Sequence, residues 1–93
     1  EYNEVFDTMV RLYPNDEVAN LNAANTAMGR KDWVTARKYL DKAGKGGHAL
    51  YANGVYAAMQ KDYTAAARYF TMARERGVKE AENALNQINQ LTQ

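Results

Sequence analysis

His48 is the single histidine in 93 residues, and the chain has no cysteine. A zinc site needs several imidazole, thiolate or carboxylate ligands converging on one ion. His48 has no such companion, and no glutamate follows it at helical spacing. As a general base it would need a nucleophile within reach and a carboxylate to orient its ring, and its neighbours supply neither. Gly44, Gly46 and Gly47 surround Lys45 in the manner of a phosphate loop. In that motif, however, the lysine follows the glycines, precedes Ser or Thr, and comes after a strand. Here the run reads as a linker. Asp16, Glu17, Glu80 and Glu82 fall where helices are expected to start, and the positive end of a helix accounts for them without catalysis. Tyr39, Tyr69 and Phe70 would suit base stacking on single strands. Their spacing instead assigns them to core-facing positions of a helix, the tyrosines half-buried with a wet hydroxyl. The residues therefore point to no catalytic, cofactor or metal site, and the chain is expected not to be an enzyme.

Composition bounds the remaining classes. A 93-residue chain makes one domain at most, and 46% hydrophobic residues with a net charge of +1 suit an ordinary globular fold. Nucleic-acid binders normally carry a basic stripe, and polybasic membrane anchors carry clustered lysines. Here Arg37, Lys38 and Lys42, and likewise Arg68, Arg74 and Arg76, read as solvated helix faces. No apolar run approaches the length of about 20 residues that spans a bilayer. Neither nucleic acid nor direct membrane insertion is expected.

The elements follow from periodicity and from Gly and Pro. No alternation long enough for a strand occurs, and alanine favours helix. A first helix is expected over residues 1–12, with Val5, Phe6, Met9, Val10 and Tyr13 on one face, stopped by Pro14. Asn15 or Asp16 caps a second helix, 16–29; Asp32 caps a third, 33–43; a fourth runs over 47–60; Asp62 caps a fifth, 63–76; and a sixth covers 79–91. Ala81, Ala84, Leu85, Ile88 and Leu91 form the apolar stripe of the last helix. The chain opens inside a helical pattern and is expected to be a piece of something longer.

Lys31-Asp32-Trp33-Val34-Thr35-Ala36 returns thirty residues later as Lys61-Asp62-Tyr63-Thr64-Ala65-Ala66. Laying residues 17–46 over 47–76 also pairs Ala19 with Ala49, Ala27 with Ala57, Tyr39 with Tyr69, Leu40 with Phe70, and Ala43 with Ala73. Gly47, Asn53 and Gly54 then match Gly77, Asn83 and Ala84. A period in this range marks an array of one supersecondary unit whose apolar face is buried by its neighbours. Small residues at 24, 54 and 84 allow helices to approach. Trp33 and Tyr63 plug the space near each turn, and Leu40 and Phe70 fill the next layer.

These residues resemble the tetratricopeptide repeat, a helix pair with small, aromatic and large apolar residues at set places. The first full unit supplies Ala24, Trp33, Ala36, Leu40 and Ala43; the second supplies Gly54, Tyr63, Ala66, Phe70 and Ala73. Phe6 and Met9 fit the second helix of an earlier unit, and Tyr13-Pro14-Asn15-Asp16 is similar to the family's Pro-Asn link. Two departures stand out: the step is thirty residues where the family has about 34, and Asn20 is polar where the family is apolar. The resemblance implies an all-α fold, a short α-solenoid of antiparallel helix pairs with about six helices. Its parts would be residues 1–14 as a half-repeat, 15–46 and 47–76 as repeats, and 77–93 as a capping helix. Leu12 to Asp16, Asn22 to Asn25 and Gly54 to Ala58 also resemble the carboxy-terminal repeat region of cell-envelope proteins of Gram-negative gut anaerobes, which carry an outer-membrane-protein-A-like segment. That resemblance implies a periplasmic or outer-membrane-associated setting.

Members of the repeat family bind proteins or peptides along the face built by the first helix of each pair. Projected here, that face holds Val18, Leu21, Asn25 and Met28, then His48, Tyr51, Val55 and Met59. It suits an amphipathic helix or an extended apolar segment. The family's terminal-carboxylate clamp needs Lys, Arg and Asn on these positions, and only Asn25 fits. The expected role is a protein-interaction or scaffolding module. The alternative is self-association into a homo-oligomer, and an enzyme accessory role ranks below both. Leu21 and Tyr51 equally suit packing against adjacent helices.

Overall fold

The computed structural model describes residues 17–92, and among them the chain is all-α. Helix α1 covers Glu17–Gly29, α2 Trp33–Ala43, α3 Gly47–Met59, α4 Tyr63–Glu75 and α5 Glu80–Leu91. These ends agree with the sequence expectation to within a residue. The opening helix, with Val5, Phe6, Met9, Val10 and Tyr13, its stop at Pro14 and the Asn15 or Asp16 cap, lies outside the described residues. The chain divides between Gly44 and Lys45 into two compact units.

The first unit contains the hairpin of α1 and α2. Ala19, Ala24, Ala36 and Leu40 are fully buried in it, and Tyr39 packs against Ala19 and Ala23. Asn20, the polar departure from the repeat pattern, is fully buried as well. Ala23, Ala24 and Ala27, one and two turns further along α1, are buried with it. Trp33, expected in the core, is only half-buried. It lies at the first position of α2.

The second unit contains α3, α4 and α5. Its core joins Leu50, Ala57, Ala66, Phe70, Ala73, Val78, Ala81, Leu85 and Ile88. The start of α3 lies against the end of α4: a β-carbon on Gly47 would sit 3.2 Å from that of Arg76. Midway along, Gly54 meets Phe70. Two such contacts at opposite sequence offsets fix α3 and α4 as antiparallel. Arg74 also pairs with Glu82 at 3.1 Å, tying α4 to α5 at the surface.

The hairpin turns of the two units repeat in detail. In α1, the amides of Lys31 and Asp32 donate to the carbonyls of Met28 and Ala27 at 3.0 and 2.8 Å. At the end of α3, Lys61 and Asp62 donate to Ala58 and Ala57 at 3.0 and 2.9 Å. This nested pair of bonds satisfies carbonyls that a helix end leaves open, and it requires a left-handed residue just past the helix. Lys31 and Lys61 take that conformation, at φ 61° and 63°. The following aspartate then caps the next helix. Asp32 accepts from the Thr35 amide at 3.3 Å and Asp62 from the Ala65 amide at 3.2 Å. One residue thus closes one helix and opens the next, which is why a link of three residues suffices. The α4–α5 turn uses the same bonds, with Gly77 at φ 93° in the left-handed place and buried Val78 after it.

Candidate functional site

The first helix of each unit carries the residues expected to face a partner, and the two units present them differently. In the first unit Val18 is 62% exposed, Asn25 is exposed and Leu21 is half-buried. Met28 is only 3% exposed, so the projected face loses it. Its position near the end of α1 places it inside, beside Ala27 and the turn to α2. In the second unit His48 is exposed, Tyr51 and Val55 are half-buried, and Met59 is 45% exposed.

Tyr51, Val55 and Met59 come together with Ala58 as one wall of a cleft of about 280 Å³. Their spacing along α3 brings them to one side of the helix. The opposite wall is α5, through Ala84, Gln87, Ile88 and Leu91. Tyr63 and Phe70 of α4 close the cleft from below. Phe70 is 3% exposed and meets Tyr51 with ring centroids 5.4 Å apart and planes tilted by 54°. That tilted contact is a favoured aromatic arrangement, and it holds both rings in place. His48 does not line the cleft.

Sequence reasoning found the α3 wall and missed the α5 wall. Leu91 continues the apolar stripe of the last helix and is 62% exposed. It belongs to the final turn of α5, at the rim of the cleft. A signal was present: Ala84 matches Gly54 in the thirty-residue register, so α5 repeats the small-residue position of α3.

The lining is chemically simple. No charged side chain contributes to it, and its polar groups are two tyrosine hydroxyls and one glutamine amide. Such a surface can hold apolar side chains and offer them a few neutral hydrogen bonds. Among the described residues no group of three or more His, Cys, Asp or Glu side chains is placed to hold a metal ion. Among the same residues no helix is long and apolar enough to cross a membrane.

No family model matches this sequence, and no curated protein or solved structure is similar enough to count as a match.

Proposed function

We propose that this chain is a tetratricopeptide-like helical repeat acting as a non-catalytic protein-interaction or scaffolding module of a larger, cell-envelope-associated protein. Its working surface is the α3–α5 cleft, and its partner is a protein segment that inserts uncharged apolar side chains there. The observation that carries this reading is the cleft itself: an open, charge-free recess whose rim exposes Met59 and Leu91. A concave, mostly apolar lining with a few polar groups is the kind of surface that takes a partner. Burying one Leu- or Phe-sized side chain there contributes about 1.5–3 kcal/mol, so a partner needs several anchors at helical or extended spacing to offset the cost of association. The thirty-residue period and the matching turns support the repeat family. The envelope setting rests on the resemblance of Leu12 to Asp16, Asn22 to Asn25 and Gly54 to Ala58 alone.

The test is selection from a displayed random-peptide library, followed by titration of the selected peptides. Enrichment of peptides with two or more apolar anchors is expected. Val55→Asp and Leu91→Asp are expected to weaken their binding by at least about tenfold, the equivalent of one lost anchor, with an unchanged helical circular dichroism spectrum. Enrichment of acidic or basic peptides instead, or wild-type affinity retained by both variants, rejects the cleft.

A further inference from the structure

Asn53 and Gly54 form the one Asn-Gly step in the sequence. In an open chain such a step is prone to imide formation, because glycine has no β-carbon to shield its backbone nitrogen. The glycine is present for packing: a β-carbon at 54 would lie 2.6 Å from the Phe70 ring. Its counterparts one repeat away are Ala24, preceded by alanine, and Ala84, preceded by Asn83. The reactive step therefore arises only in the unit that has Phe70 where the first has Leu40.

Folded α3 withholds both reacting groups. Asn53 is 6% exposed, and its Nδ2 donates to the Ala49 carbonyl at 2.8 Å. That bond draws the side-chain amide back over the preceding turn, away from residue 54. Gly54 lies mid-helix, where a backbone N–H is committed to the carbonyl four residues earlier. We propose that Asn53-Gly54 is a deamidation site, closed while α3 is wound and opened when it unwinds. The Gly54 nitrogen, having lost its proton to hydroxide, attacks Cγ of Asn53. A nitrogen–carbon bond forms, the Cγ–Nδ2 bond breaks, and ammonia leaves with a proton from water. Water then opens the cyclic imide at either carbonyl, giving aspartyl or isoaspartyl at position 53. Neither product refits. A carboxylate there cannot donate to the Ala49 carbonyl and would be buried beside it. The isoaspartyl form also lengthens the backbone by one carbon and interrupts the helix. Unfolding of the second unit thus becomes one-way by chemical modification.

The experiment incubates the chain at mildly alkaline pH with and without urea, then maps peptides for aspartyl and isoaspartyl products. Asn53 is expected to convert ahead of every other asparagine in urea, and at least about tenfold more slowly in buffer, where conversion waits for local opening. Helical signal regained on removing urea should fall in proportion to conversion at 53. The paired variant Gly54→Ala with Phe70→Leu, which keeps the packing volume, is expected to suppress conversion in urea and restore full refolding. Equal rates in buffer and urea, another asparagine converting first in urea, or full refolding of converted chains would each overturn the proposal.

Discussion

At the scale of single residues, the two hairpins obey one packing rule with different parts. The first unit buries Ala24 and Leu40 completely, and the second places Gly54 against Phe70 at the same two positions. A larger ring on one helix is matched by a missing methyl on the other. Gly54→Ala alone forces a β-carbon into that ring and is expected to cost about 1–3 kcal/mol. Phe70→Leu alone leaves unfilled volume and is expected to cost about 1–2 kcal/mol. Together they reproduce the pair of the first unit, and urea denaturation should return a favourable coupling of at least about 1 kcal/mol. Simple addition of the two costs would refute the equivalence. The helix caps are a second residue-scale device. Asp62→Ala removes the acceptor for the Ala65 amide, and urea denaturation should register a loss of about 1 kcal/mol.

Elements show what was legible in the sequence and what was not. The helix spans, the aspartate caps and the buried Leu40 and Phe70 could be read, because spacing and capping are local chemistry. The left-handed turns at Lys31 and Lys61 could not, since lysine has no preference for that conformation. The short link imposes it, and nested hydrogen bonds from the next two amides hold it in place. Burial of Asn20 was equally invisible, because polarity argues for the surface and only tertiary packing overrides it. Half of the cleft was missed for a related reason: Ala84, Ile88 and Leu91 continue one apolar stripe of α5, and periodicity does not reveal which part of such a stripe another helix covers. The turns give a prediction of their own. Lys61→Gly relieves a left-handed non-glycine residue and is expected to raise stability by about 0.5–1 kcal/mol, read as a higher thermal midpoint. A lower midpoint would mean that the lysine side chain contributes more than its backbone strain removes. By contrast the exposed Arg74–Glu82 bridge between α4 and α5 belongs to a class worth at most about 1 kcal/mol. Apolar packing around Phe70 and Leu85 is what holds these helices together.

For the whole molecule, a partner-binding module and a self-associating one make different demands. Light scattering across a wide concentration range is expected to return the mass of one chain, 10.5 kDa. A mass that rises with concentration would transfer the exposed Met59 and Leu91 to contacts between copies. Because no charge lines the cleft, raising the salt well above physiological strength should change the affinity for a selected peptide by no more than about twofold. A steep salt dependence would place recognition on the scattered lysines and arginines instead. The most direct measurement is nuclear magnetic resonance of the isotope-labelled chain titrated with a selected apolar peptide. The expected shifts gather on Tyr51, Val55, Met59, Ala84, Ile88 and Leu91, with intermolecular contacts to the Phe70 ring. Shifts centred on Val34 and Met72, or spread thinly over all the described helices, would contradict the cleft as the working surface of this chain.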